Sequence, residues 1–97
     1  MGSTTYKIIF TNASFKDIEK LEKNTRERIL TELKSLSGFP LNSKRDTKKL
    51  KGIGKNIYRL RIGEFRVIYL LSGIKIIVLR IIDRKDLDKI INNLKFS

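Results

Sequence analysis

The 97-residue chain contains no cysteine and no histidine. Without cysteine the protein has neither disulfides nor thiol chemistry, which leaves its redox compartment open but is compatible with the cytoplasm. Cysteine and histidine are also the usual ligands of zinc, so their joint absence argues against a zinc site, and we expect no metal and no cofactor. Because histidine is the most frequent general acid and base, few residues remain for conventional proton transfer.

Long apolar runs are also missing from the chain. No stretch approaches the roughly 20 apolar residues of a transmembrane helix, and the first five residues lack the apolar core of a signal peptide. We therefore expect a cytoplasmic protein without a membrane partner. An apolar share of 40% and a charged share of 33% are ordinary for a soluble globular protein, and the length suits one domain, residues 1–97.

Acidic residues are few beside basic ones. The chain has 10 acidic and 22 basic residues, a net charge of +12. The excess is concentrated in residues 39–69, which carry nine basic and two acidic side chains, whereas residues 14–38 carry six and five. Such a charge predicts a polyanionic partner, because neutralising phosphates releases counterions. The alternative is a basic protein whose charge only keeps it in solution.

The first part of the chain is predicted to form one strand and two helices. The β-branched and aromatic run Tyr6–Phe10 is typical of a strand. Apolar residues at helical spacing follow an N-cap at Asn12 or Ser14. A break near Asn24 separates a second amphipathic helix, which Gly38 ends. We expect the two helices to form an antiparallel hairpin.

The second part is predicted to form three strands and a helix after a polar, lysine-rich connection, residues 41–56. The predicted strands are Ile57–Ile62, Phe65–Leu71 and Ile74–Ile82. The first two flank the pair Gly63-Glu64, with glycine first as a type II′ turn prefers. The third is almost continuously apolar, which is typical of a strand covered on both faces. The order β-α-α-β-β-β-α indicates an α+β fold, with a mainly antiparallel sheet packed against the helical hairpin and a C-terminal helix.

The predicted hairpin gathers three arginines on one face of the sheet. With a two-residue loop at 63–64, Arg61 lies opposite Arg66, and Arg59 lies two residues along the same strand. Opposed residues share a face, as alternate residues do. Guanidinium groups match phosphate oxygens, so this cluster predicts an anion-binding site. The alternative is that the arginines extend into solvent or pair with nearby acidic side chains.

Candidates for proton transfer are scarce on this surface. Tyr58 and Tyr69 fall on the apolar face of the hairpin, and Asp83 and Asp86 have the spacing of a helix capping box. Catalysis, where there is any, is therefore expected to rest on charge stabilisation and positioning.

Three segments resemble the signature of the RelE/ParE toxin superfamily. They are Leu50–Gly52, Tyr58–Tyr69 and Ile81–Asp86. The family pattern is a leucine–basic–glycine step, a hairpin of the form Y-R-L-R-x-G-x-Y/F-R-x-x-Y, and a strand closing on H/D-R-x-D. The order of helices and strands also matches over nearly the whole chain, so the resemblance implies a RelE-like fold.

The resemblance implies that the chain is the toxin of a type II toxin–antitoxin system. RelE-like toxins enter the ribosomal A site and cut messenger RNA by attack of the ribose 2′-hydroxyl, which leaves a cyclic phosphate. An endoribonuclease is therefore expected, with the ribosome and messenger RNA as partners. An acidic RelB-like antitoxin is expected to hold it in check, in a toxin–antitoxin hetero-oligomer.

The resemblance also assigns roles to individual basic residues. Arg59 and Arg61 match basic residues at the scissile region, and Arg66 matches the arginine that stabilises the charge developing on the phosphate. Arg84 matches a second such arginine, at the end of the last strand. RNA binding is expected of the lysines that precede the hairpin, Lys48, Lys49 and Lys51.

One position departs from the ribonucleases of the family. Many carry a tyrosine in the last helix, whereas residues 87–91 contain none, which leaves the general base unidentified. Two alternatives stay open: a ParE-type toxin that inhibits DNA gyrase without cutting RNA, and a basic RNA- or ribosome-binding module without activity. Ribosome-dependent cleavage would distinguish the ribonuclease from both of these alternatives, and inhibition of supercoiling would identify the gyrase poison.

Overall fold

A computed structural model of the chain describes residues 5–38 and 47–94. The strands are β1 Lys7–Phe10, β2 Thr47–Lys49, β3 Ile57–Ile62, β4 Phe65–Ser72 and β5 Lys75–Asp83. The helices are α1 Asn12–Glu19, α2 Lys23–Leu36 and α3 Leu87–Leu94, with a 3₁₀ turn, Arg84–Asp86, before α3. The predicted α+β fold is confirmed. The first six residues of the lysine-rich connection, 41–46, lie outside the described residues. None of the described helices is long and apolar enough to cross a membrane.

Within the described residues the sheet has five strands in the order β1-β5-β4-β3-β2. β1 runs parallel to β5, and the other pairings are antiparallel. The sequence did not indicate β2, because its residues 47–49 fell within the polar connection. β2 is a short edge strand with two exposed lysines, a composition that discourages pairing with other chains and carries no apolar signal.

The helix boundaries differ slightly from those predicted. The N-cap of α1 is Thr11, whose hydroxyl accepts a hydrogen bond from the Ser14 N–H at 3.1 Å. The break between the helices lies at residues 20–22 rather than near Asn24, which is in the first turn of α2. Asparagine lowers helix propensity only modestly, so it does not end a helix whose apolar face is buried.

Apolar side chains cover both faces of the sheet. On one face, α1 and α2 pack on the strands. Ile29, Leu33 and Leu36 of α2 are essentially inaccessible to solvent there, and Ile18 of α1 belongs to the same cluster. On the other face, a smaller cluster brings residues of α3 against the sheet. It contains Ile53, Ile57, Ile68 and Ile82, with Leu50, Leu87, Ile90 and Ile91 packed against it. The prediction that the apolar strand β5 is covered on both faces is confirmed.

A β-bulge in β5 is held in place by an ion pair with α1. The bulge lies where the β4–β5 register shifts, between Ile68 and Tyr69. Arg80 donates from Nε and Nη2 to the two carboxylate oxygens of Asp17, at 2.8 and 3.0 Å, and the Ile81 N–H donates to the same carboxylate at 2.9 Å. One side chain of α1 therefore fixes the backbone of β5 three residues before Arg84.

The hairpin between β3 and β4 has the predicted turn. Gly63 has a φ of 58°, and Glu64 is not among the residues with positive φ, which is the combination that a type II′ turn requires. Arg28 of α2 lies against this turn, since a Cβ on Gly63 would be 3.0 Å from its Nη1.

Candidate active site

The three hairpin arginines lie on one face of the sheet. Arg61 is paired with Arg66, and Arg59 is paired with Ile68, which is the register predicted from the two-residue loop. Ile68 belongs to the apolar cluster beneath α3, so this face, called the arginine face, is the one opposite α1 and α2. The arginine face is uncovered toward the β3–β4 turn, where Arg61 is exposed.

Arg66 is the most buried of these side chains, with only 8% of its surface exposed. Its Nη1 donates hydrogen bonds to the carbonyl oxygens of Gly63 at 2.9 Å and of Phe65 at 3.0 Å. Two carbonyls of the turn therefore fix the position of the guanidinium. A charged group that is buried and held in this way is preorganised for a ligand.

Arg84 completes the cluster from the end of β5. β5 runs beside β4 so that Ile82 is paired with Arg66 and Asp83 with Phe65. The Arg84 N–H donates to the Glu64 carbonyl at 2.8 Å, and its Nε lies 3.6 Å from the Glu64 carboxylate. Both side chains of this ion pair are largely exposed, so it contributes little to stability.

The arginine cluster is electrostatically strained. Burial lowers the pKa of Arg66, and the positive charges of Arg59, Arg61 and Arg84 lower it further, while Glu64 acts in the opposite direction. The other three guanidinium groups are therefore close enough to Arg66 to act on it electrostatically. A phosphate bound among them would relieve the repulsion and accept several charge-assisted hydrogen bonds. The arrangement is suited to binding a phosphodiester and stabilising negative charge that develops on it.

The sheet separates the two lysines of β2. Lys48 is paired with Arg59 and therefore lies on the arginine face, whereas Lys49 is paired with Tyr58 and lies on the opposite face. Lys51 is exposed in the connection between β2 and β3. The structure thus joins Lys48, and not Lys49, to the arginine cluster. Their assigned roles in RNA binding, like the catalytic roles of the arginines, stay predictions.

Two charged residues near the site were not singled out by the sequence pattern. Glu64 was considered as a loop residue, yet its carboxylate lies 3.6 Å from Arg84 and interacts electrostatically with Arg66. Arg28 was given no role in the site by the sequence, yet it reaches the β3–β4 turn. The location of Glu64 in the turn beside Arg66 could have indicated its place in the site. The contact of Arg28 could not be predicted, because it depends on how α2 packs on the sheet.

Asp83 has the capping role predicted for it. Its carboxylate accepts a hydrogen bond from the Lys85 N–H at 3.1 Å, at the start of the 3₁₀ turn. Asp86 lies in that turn, and α3 begins only at Leu87.

The chain matches a family model over residues 8–88, that of the ParE toxin of the type II toxin–antitoxin system parDE. It is similar to the toxin RelE3 of Methanocaldococcus jannaschii, with 32% identity over 83 residues, which cover 84% of this chain and 93% of that toxin.

Solved structures with the same fold include toxin–antitoxin complexes. The chain is similar to one in the crystal structure of the RelB–RelE antitoxin–toxin complex of Methanococcus jannaschii, with 30% identity, a TM-score of 0.70, and coverage of 84% of this chain and 96% of that one. It is also similar to one in the archaeal RelE–RelB complex of Pyrococcus horikoshii OT3, with 29% identity, a TM-score of 0.71, and coverage of 82% and 96%.

Proposed function

The chain belongs to the RelE/ParE superfamily of type II toxin–antitoxin toxins, and on that basis we propose that it is a ribosome-dependent endoribonuclease. It cleaves messenger RNA in the ribosomal A site through attack of a ribose 2′-hydroxyl on the adjacent phosphate. The observation that supports this proposal best is the arginine cluster, in which Arg59, Arg61 and Arg84 all lie within electrostatic range of the buried Arg66.

The cluster favours phosphodiester cleavage over simple binding. Attack by the 2′-oxygen increases the negative charge on the oxygens of the phosphate, and donors fixed in advance stabilise that charge without reorganising. Arg66 is fixed by two main-chain carbonyls, and Arg61 lies directly across the strand pair from it. Exposed lysines such as Lys48 then hold the rest of the RNA backbone.

A ParE-type gyrase poison is the second candidate function. It is favoured by the family model, which is that of ParE toxins and extends over residues 8–88. The lack of a tyrosine in residues 87–91 also weakens the likeness to the ribonucleases. In this alternative the arginine face binds an acidic protein surface or DNA and no bond is cleaved.

Two assays with the purified protein decide between these functions. We expect cleavage of messenger RNA when ribosomes are present, with a 2′,3′-cyclic phosphate at the new end, and no cleavage of the same RNA without ribosomes. DNA supercoiling by gyrase is expected to continue at the same toxin concentration. Inhibited supercoiling together with intact messenger RNA would replace the proposed function with the ParE-type one.

The separation of the two β2 lysines gives a matched pair of variants. We expect Lys48→Ala to weaken binding to RNA and to lower the slope of log K against log salt by about 0.7, as for the loss of one contact to a single strand. Lys49→Ala removes the same charge from the opposite face and is expected to change the slope much less. Binding isotherms over a series of salt concentrations measure both slopes, and equal slopes would mean that RNA does not follow the arginine face.

We further propose that the protein works in the cytoplasm and is neutralised there by an acidic RelB-like antitoxin. Relatives with about 30% identity were solved as antitoxin–toxin complexes. In this chain the basic excess lies within residues 39–69, and the arginine cluster is a natural target for acidic side chains. A disordered antitoxin segment that folds on binding covers a large surface, at an ordering cost of about 2–5 kcal/mol.

Co-expression with the neighbouring open reading frame tests the antitoxin. We expect the two products to elute together in size-exclusion chromatography and the growth arrest caused by the toxin alone to disappear. Rapid growth with the toxin expressed alone, and no complex with the neighbouring product, would contradict the toxin function and favour a basic RNA-binding module.

A further inference from the structure

An acidic side chain lies beside Arg66 and Arg84 of the arginine cluster. Glu64 occupies the second position of the β3–β4 turn, and Arg66 donates to the carbonyls of the residues immediately before and after it, Gly63 and Phe65. The Glu64 carboxylate lies 3.6 Å from Nε of Arg84. Its side chain is 70% exposed, so a substrate that docks on the arginine face reaches the carboxylate directly.

The other charged groups of this face are poor proton acceptors. Guanidinium groups are not deprotonated in proteins, which excludes the four arginines. Lys48 lies opposite Arg59, about 13 Å along the strands from the turn at 3.3 Å per residue. Asp83 is paired with Phe65, one residue from Arg66, and therefore lies on the opposite face of the sheet. Among the described residues of this face, Glu64 is therefore the group best placed to take up a proton beside Arg66.

We propose that Glu64 is the general base of the cleavage, an inference that rests on the ribonuclease function proposed above. The carboxylate takes the proton of the 2′-hydroxyl while the 2′-oxygen forms a bond to phosphorus. The bond from phosphorus to the 5′-oxygen breaks, and that oxygen leaves as a hydroxyl after taking a proton from water. The products are a 2′,3′-cyclic phosphate and a 5′-hydroxyl end, and the protonated carboxyl returns its proton to solvent.

The surroundings of Glu64 suit this role. Two arginines act on the Glu64 carboxylate: Arg84 of the 3₁₀ turn lies 3.6 Å from it, and Arg66 of β4 interacts with it electrostatically. Arg28 of α2 lies against the neighbouring Gly63 of the same turn. These cations attract the phosphate toward the Glu64 carboxylate. They also offset the repulsion between the two negatively charged groups. The backbone N–H of Arg84 also donates to the backbone carbonyl of Glu64 at 2.8 Å, which holds the backbone of the turn from which the carboxylate extends.

The test compares Glu64→Gln with Glu64→Asp in single-turnover cleavage of ribosome-bound messenger RNA across a range of pH. We expect Glu64→Gln to lower the rate about 100-fold at neutral pH, within the usual range for a lost general base, and to abolish the fall in rate on the acidic side. Glu64→Asp is expected to keep that acidic limb. Glu19→Gln, an exposed glutamate of α1, serves as the control and should behave as the wild type.

The possible outcomes separate a failure of the Glu64 assignment from a failure of the ribonuclease function on which that assignment rests. If the wild type cleaves and Glu64→Gln keeps the acidic limb, at whatever rate, Glu64 only positions Arg84 and the assignment is overturned. If Glu64→Gln also loses affinity for ribosomes by as much as it loses rate, the carboxylate acts in binding and the assignment is overturned as well. If the wild type does not cleave at all, the ribonuclease function is overturned and the role of Glu64 with it.

Discussion

Replacement of Arg66 with alanine is expected to slow the cleavage of ribosome-bound messenger RNA by about 100- to 1,000-fold, which corresponds to about 2.7–4 kcal/mol of transition-state stabilisation. The guanidinium is held at the β3–β4 turn by two carbonyls, so it meets the charge that develops on the phosphate without first reorganising. Affinity for RNA should fall much less, because several lysines and three other arginines share the phosphate contacts. Single-turnover cleavage and equilibrium binding measure the two effects separately.

The stability of the Arg66 variants provides the control. The pKa of Arg66 is lowered, first by burial and then by the neighbouring arginines, so its positive charge is less favourable in the folded than in the unfolded state. This cost is fully present at neutral pH and is relieved only as the pH rises through the lowered folded-state pKa. Arg66→Met keeps much of the apolar stem and removes this cost together with the two hydrogen bonds to the turn, so we expect its urea midpoint to stay close to that of the wild type.

Two results would contradict this role of Arg66. A variant that is unfolded at neutral pH would mean that the arginine stabilises the fold rather than the transition state. Equal losses of binding and cleavage, in both the Arg66 and the Lys48 variants, would mean that the arginine face is a uniform binding surface without a distinct active centre.

The arrangement of the arginines was predictable because local rules determine it. The pair Gly63-Glu64 sets a two-residue turn, and a shift of one residue in the β3–β4 register would expose buried side chains such as Leu60 and Val67. Because opposed residues of an antiparallel pair share a face, this register places Arg61 and Arg66 on the same face of the sheet. Arg84 follows β5, whose apolar run was equally plain in the sequence.

The features that escaped prediction depend on contacts between distant parts of the chain. β2 is only three residues long and polar, so its pairing with β3, and with it the separation of Lys48 from Lys49, has no local signature. The bulge in β5 is likewise invisible in a continuous apolar run. Asp17 and Arg80 are 63 residues apart in sequence, and nothing in the local pattern of either residue indicates the other.

The ion pair of Asp17 with Arg80 is expected to be the largest single polar contribution to stability among those described here. Asp17 is 11% exposed and Arg80 is 30% exposed, and the carboxylate also accepts the Ile81 N–H. Asp17→Ala leaves a partly buried guanidinium and a backbone N–H without their acceptor. We expect it to lower the free energy of unfolding by about 3 kcal/mol, as measured by urea denaturation at pH 7.

The pH dependence and a matched variant test this expectation. The hydrogen bond to Asp17 raises the pKa of Arg80, so the stabilisation that comes from the charge of Arg80 is fully present at neutral pH and is lost as the pH rises through that raised pKa. Glu19→Ala, an exposed residue two positions further along α1, should change stability by less than about 0.5 kcal/mol. If Asp17→Ala and Glu19→Ala unfold at the same urea concentration, the ion pair does not stabilise the fold. If Asp17→Ala is destabilised as expected, its cleavage rate per folded molecule should also fall, because the bulge that it anchors sets the position of Ile82 opposite Arg66.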